Sequence, residues 1–161
     1  MAMMMKKSGW LPYVLFVLLT EAVGGFAGLL TRDGVMAYNA VVKPALTPPG
    51  IVFPIVWAIL FALMGISAAL IWKAPSSPER TRSLVIFALQ LIVNFFWSPI
   101  FFNMMAFGFA FIWIMLLWVL ILLMILAFRK VDKTAAWLQV PYFIWVTFAA
   151  YLNYAVWMLN K

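Results

Sequence analysis

The chain has 161 residues, of which 68% are hydrophobic and only 9% charged, with a mean hydropathy of +1.11. Soluble domains carry about 25% charged residues, so a water-facing globule is excluded and the chain reads as all-α, an integral membrane bundle of five transmembrane helices forming one domain over residues 1–161. It contains neither cysteine nor histidine, and its +7 net charge is scattered between apolar blocks, so no disulfide, metal site, required cofactor or nucleic-acid surface is expected.

The first apolar block covers about residues 10–30. Its length, its internal Glu21 and the absence of a small-x-small cleavage site argue for a retained helix rather than a signal peptide. Glu21 is the one clearly intramembrane ionisable side chain, a candidate proton or cation site for a coupled secondary transporter. A protonated, hydrogen-bonded carboxyl or a position near the interface explains it equally. Gly24 and Gly28 form a small-xxx-small face that permits close helix approach, within the bundle or at a dimer seam.

The first connection, about residues 31–50, ends in Lys43-Pro44-Ala45-Leu46-Thr47-Pro48-Pro49-Gly50. Its prolines forbid helix there and favour a stiff extended segment, either a lid over the bundle mouth or a rigid connector. Further blocks span about 51–72, 84–102, 105–128 and 135–158. The third and fourth are nearly continuous, and Pro99, Asn103 and Gly108 are expected to break them into a tight helical hairpin. Eight of the eleven basic residues (Lys6, Lys7, Lys73, Arg80, Arg82, Arg129, Lys130, Lys133) fall on one side of this topology, and Arg32, Lys43 and Lys161 on the other. The positive-inside rule then places the N-terminus in the cytoplasm of a bacterial cell membrane, with the first connection and C-terminus outside.

Nine tryptophans are well above ordinary usage. Trp10, Trp72, Trp137 and Trp157 lie near block ends, where indole favours lipid headgroups. Trp57, Trp97 and Trp145 sit among other unusual residues. On the third block Gln90, Asn94 and Trp97 share a face by their i, i+4, i+7 spacing; Trp145, Ala149 and Leu152 repeat it on the fifth, flanked by Thr147 and Asn153. Lipid cannot satisfy amides, so these faces point inward. They either line one cavity, or serve as interhelical glue in which amides bond neighbouring backbone and tryptophans fill volume. No nucleophile–base pair, phosphate-cradling loop or paired catalytic carboxylates are visible.

In order along the chain stand Trp10-Leu11-Pro12, Gly24-Gly25-Phe26-Ala27-Gly28, Lys43-Pro44 with Pro48-Pro49, and Trp57 eight residues later. Asn94, Trp97, Pro99 and Ile100-Phe101-Phe102 follow. Then come Pro141-Tyr142, Trp145, Phe148-Ala149 and Leu152-Asn153-Tyr154-Ala155-Val156-Trp157. Across almost its whole length the sequence resembles the TspO/MBR family, the bacterial tryptophan-rich sensory proteins and the mitochondrial translocator protein (peripheral benzodiazepine receptor). The resemblance implies a five-helix bundle, usually a homodimer, that binds porphyrins such as protoporphyrin IX and haem, sterols in some members, and synthetic aromatic ligands. Carried over by motif position, the pocket includes Trp57, Asn94, Trp97, Trp145, Ala149 and Leu152, with Phe53, Val56 and Gln90 beside them. The lid is Lys43, Pro44, Leu46, Pro48 and Pro49. Indole walls suit a flat π-system, and Arg32 or Lys43 could meet its propionates.

Some bacterial members are reported to degrade protoporphyrin in light, which makes Trp57 and Trp145 the candidate catalytic residues of an alternative, enzymatic reading. Two departures from the family pattern matter. Leu46 stands where an aromatic residue is usual, weakening a lid contact. In the sterol-recognition pattern at most five residues separate the tyrosine from a basic residue; here six, from Ala155 to Asn160, separate Tyr154 from Lys161, and Met158 replaces the arginine of sterol-binding members. Sterol affinity is therefore expected to be weak.

Overall fold

A computed structural model describes residues 9–161. Lys6 and Lys7, which enter the orientation argument, lie outside the described residues. Five membrane-spanning helices account for most of the chain. They are α1 (Leu11–Leu30), α3 (Val52–Lys73), α4 (Pro78–Ser98), α5 (Phe107–Arg129) and α7 (Val140–Leu159), with two short helices, α2 (Arg32–Tyr38) and α6 (Lys133–Leu138), between them.

Local chemistry sets the helix ends. Ser77 caps α4, its hydroxyl accepting from the Arg80 N–H at 3.1 Å, with Pro78 in the first turn where a missing N–H costs nothing. Asp132 caps α6 through the Ala135 N–H at 3.0 Å. Ala74 turns extended before Pro75, ending α3. Helix α6 leads through Gln139 into α7, so the fifth apolar stretch runs Lys133–Leu159, close to the expected 135–158.

The spans form a ring in which α1 packs between α3 and α4, α4 meets α5, and α5 meets α7. Helix α6 closes the ring against α3 at the end carrying Lys73, Arg80, Arg129 and Lys133, called here the basic-loop end. Beyond it α3 and α7 make little backbone contact and meet through large side chains such as Phe53 and Trp145. Leu29, Ile112 and Ile144 face outward, while Gln90, Asn94, Gln139, Asn153, Ser67 and Ser83 are buried. Polar inside and apolar outside is the arrangement that a lipid solvent selects.

Glycine sets the tightest crossing, at Gly65 rather than at the Gly24/Gly28 pair. A Cβ on Gly65 of α3 would lie 2.6 Å from the Val17 Cα of α1. Gly24 faces the Phe61 ring, whereas Gly25 and Gly28 face open space. The crossing is fastened by the Thr20 hydroxyl, which donates to the Phe61 carbonyl at 2.6 Å.

In the first connection the proline-rich end, residues 43–50, is free of helix, while the start folds into α2. Gly34 brings α2 against the Phe102 backbone, and Tyr38 packs on Phe101 and Phe102 with ring centroids 5.3 Å away in both cases. One expectation is corrected: of the three residues expected to break the two blocks into a hairpin, Pro99 does not interrupt the third span. The helix widens into a π-helical segment, Pro99–Asn103, in which the Met104 N–H reaches the Pro99 carbonyl at 3.0 Å. The chain reverses only at Met104–Ala106, with Met105 at φ 48°. Asn103 ties this hairpin tip to α1 by donating to the Leu30 carbonyl at 3.0 Å.

Candidate ligand site

The interior is organised around Tyr142 of α7, which has no exposed surface. Its hydroxyl donates to Gln90 Oε1 at 2.7 Å and accepts from Asn94 Nδ2 at 2.6 Å, joining α7 to α4 across the bundle. Gln90 Nε2 lies 3.9 Å from Met64 Sδ on α3. Trp57 of α3 stands edge-on to the Tyr142 ring, with centroids 6.2 Å apart, and half-buried Val56 packs against the same core. One turn earlier Phe53 meets Trp145 edge-on at 5.8 Å. The structure therefore brings Phe53, Val56 and Trp57 together with Gln90, Asn94 and Trp145.

Toward the first connection a second group forms. Trp97 Nε1 donates to Asn153 Oδ1 at 3.0 Å, and Asn153 Nδ2 donates to the Phe107 carbonyl at 2.9 Å. Trp97 also stacks on Phe101 at 4.9 Å. Ala149 and Leu152 are buried on the neighbouring turns of α7. Of the amides expected to act as glue on neighbouring backbone, Gln90 and Asn94 instead bond one side chain of a distant helix. Asn153 does both.

Sequence reasoning did not single out the hub residue Tyr142, or Trp113 and Trp118. The indoles of these two tryptophans bond the Val93 carbonyl at 2.7 Å and the Thr147 hydroxyl at 2.8 Å. The available signal was a deficit: Gln90 and Asn94 need interior partners, and Tyr142 is one of the few polar side chains on the facing helix. Trp10, Trp72 and Trp137 are exposed near helix ends, whereas Trp157 is half-buried against Phe111 and Gly108.

At this end of the interior the indole of Trp145 is left over. Trp145 Nε1 is buried and has no acceptor among the described residues. A buried N–H without an acceptor is costly, so a native structure holding one needs an explanation. Flanked by Phe53 and Phe148, this indole can stack an aromatic ligand and offer it one hydrogen bond.

The lid candidates lie over the same end. Lys43 Nζ donates to the Val41 and Asn39 carbonyls, at 2.9 and 3.2 Å, and sits 4.7 Å above the Tyr38 ring, so its charge is engaged by the loop itself. Burial pushes the Tyr38 phenol above its ordinary range. Thr47 folds back on the Pro44 carbonyl at 2.8 Å; Pro48 is half-buried, and Leu46 and Pro49 are exposed. Asn160, just past α7, pairs with the Val42 backbone, accepting from its N–H at 3.1 Å and donating to its carbonyl at 2.7 Å. An Asn160→Ala variant is expected to speed amide hydrogen exchange around residues 41–43 by roughly tenfold, since two hydrogen bonds of about 1 kcal/mol each are lost and partly replaced by water. Unchanged exchange would mean that the prolines alone hold the segment.

A separate apolar groove of about 360 Å³ opens outward between α1 and α4, walled by Val23, Phe26, Phe95 and Phe96. It lies away from Trp57 and Trp145 and has no polar group to orient a ligand, which makes the interior the better candidate for specific recognition.

The TspO/MBR family model matches residues 16–158, which take in most of α1 and all the later helices except the last residue of α7. The chain is 42% identical to the tryptophan-rich protein TspO of Chlorobaculum tepidum, covering 84% of this chain and 88% of that one. It is 35% identical to the translocator protein of Ovis aries, over 94% and 92%. With protein CrtK of Rhodobacter capsulatus it shares 36% identity, over 86% and 87%. A match of this extent, on five apolar helices with a tryptophan-walled interior, has one reading: the chain is an integral membrane protein that belongs to the TspO/MBR family.

Proposed function

We propose that the protein is a membrane receptor or translocator that binds flat aromatic ligands of the porphyrin class, protoporphyrin IX or haem, among α3, α4 and α7. The observation that carries this reading is the buried, unpartnered Trp145 indole N–H, set between aromatic rings where α3 and α7 separate. A porphyrin propionate or ring substituent supplies the missing acceptor while the macrocycle stacks on Trp57 and Trp145. Engagement of Lys43 by the loop carbonyls gives it a local alternative to a propionate, so anion contact at the mouth needs that ammonium to swing or Arg32 to act instead. On the same reading the protein resides in a bacterial cell membrane as a homodimer, with the basic-loop end cytoplasmic and with weak affinity for sterols.

Titrating protoporphyrin IX in the dark into detergent-solubilised protein is expected to quench tryptophan fluorescence. Trp145→Phe keeps a ring but deletes the donor, and should weaken binding about tenfold, the worth of one hydrogen bond of roughly 1.5 kcal/mol. The Trp57→Phe/Trp145→Phe variant should weaken it further. Identical titrations for wild type and both variants would remove the pocket from consideration.

A further inference from the structure

Two more buried polar side chains lack partners among the described residues, both toward the basic-loop end. Gln139, at the junction of α6 and α7, has no exposed surface, and neither its amide oxygen nor its amide nitrogen is hydrogen-bonded. Ser83 of α4 is equally buried, with its hydroxyl unbonded. Nearby on α3, Ser67 donates to the Ala135 carbonyl at 2.7 Å, which leaves its own oxygen free to accept. Apolar side chains, among them Ile71, Phe87 and Phe128, fill the surrounding core.

Their places on the helices connect them to the hub. Gln139 precedes Tyr142 by three residues, and Ser83 precedes Gln90 by seven and Asn94 by eleven, so each lies on the face its helix turns inward. Both helices run from the basic-loop end toward the first connection. The two orphans therefore extend the bonded groups, Gln90–Tyr142–Asn94 and then Trp97–Asn153, toward the basic loops. Along α7 the polar positions from Gln139 to Asn153 cover fourteen residues, or about 21 Å of helix, against a hydrocarbon core of about 30 Å.

We propose that this end of the bundle binds internal water, forming a hydrated polar column that runs from the basic-loop end to the Tyr142 hydroxyl. Gln139 offers one free acceptor and a free donor pair, and Ser83 offers one of each kind, so the ligand must both donate and accept. It must also be small, because the side chains have no exposed surface and their neighbours are packed and apolar. Water meets both conditions, and buried water typically bonds two to four otherwise unsatisfied groups. The proposal is independent of the porphyrin reading, which concerns Trp145 and the end of the bundle toward the first connection.

The sequence makes a direct test available, because Gln90 and Gln139 are its only glutamines. Protein labelled with 15N at glutamine side chains, in phosphatidylcholine–phosphatidylglycerol nanodiscs, gives two amide signals, and Gln139→Glu assigns them by removing one. Magnetisation transferred from water should reach the Gln139 amide several-fold faster than that of Gln90, whose oxygen is held by Tyr142. Equal or slower transfer to Gln139 overturns the proposal. A second measurement is the unfolding midpoint of Gln139→Met, which keeps the length of the side chain without its amide. A hydrated amide predicts an unchanged or lower midpoint, whereas a higher one marks a dry orphan and overturns the proposal. If this variant does not fold, water transfer in the wild type still decides.

Discussion

Gly65→Leu is expected to lower stability by about 3 kcal/mol or more, read as a fall in the thermal unfolding midpoint in detergent. A Cβ there would lie 2.6 Å from the Val17 Cα, 2.7 Å from the Val17 nitrogen and 2.8 Å from the Phe16 carbonyl carbon. These are backbone atoms of α1, which cannot rotate aside, so the helices must separate. Overpacking of this kind costs about 1–3 kcal/mol. Separation also stretches the 2.6 Å bond from Thr20 to the Phe61 carbonyl, worth about 1 kcal/mol. Gly28→Leu is the control, because a Cβ there meets nothing within 4 Å and leucine is the better helix former. Equal losses at both sites would show that helix flexibility, and not the α1–α3 crossing, sets the effect.

The same contrast shows what the sequence could and could not disclose. The five spans were legible because lipid demands about 20 apolar residues in a row, a one-dimensional requirement. Which glycine meets a neighbouring helix is three-dimensional. Gly24 and Gly28 drew attention by spacing, while Gly65, whose i+4 small partner is only Ala69, makes the closest approach to the backbone of another helix. Helix α2 was hidden for a related reason: seven residues hold too little pattern, and their helix rests on Gly34 and Tyr38 meeting the π-helical turn. Pro99 was read as one of three residues that break the two blocks into a hairpin because proline removes a helix hydrogen bond, but the wider π-helical turn absorbs it, and the reversal falls at Met104–Ala106, between Asn103 and Gly108. On α4 the inward face was visible from Gln90, Asn94 and Trp97. Their partners Tyr142 and Asn153 lie 48 to 56 positions from the side chains they bond, at a separation no local spacing reports.

Tyr142→Phe is expected to cost about 2 kcal/mol, a large loss for one oxygen atom. The substitution keeps the ring that packs edge-on to Trp57, so the aromatic wall survives and the polar loss is isolated. What disappears is an acceptor for Asn94 and a donor for Gln90, both in a buried site. Counting each abandoned group at its desolvation cost of about 1–3 kcal/mol gives an upper bound near 6 kcal/mol. Interhelical hydrogen bonds in membranes average nearer 0.6 kcal/mol, with a maximum of about 1.7, because the separated helices also find partners. Two bonds sharing one fully buried hydroxyl belong at the upper end of that range. A double-mutant cycle distinguishes the two scales. If orphaned groups dominate, Gln90→Leu in the Tyr142→Phe background should restore part of the loss, since leucine needs no donor. If the bonds themselves are weak, Tyr142→Phe alone will leave the unfolding midpoint unchanged, and the geometry of the interior must then come from packing of Trp57, Phe61 and Met64 rather than from the Tyr142 hydroxyl.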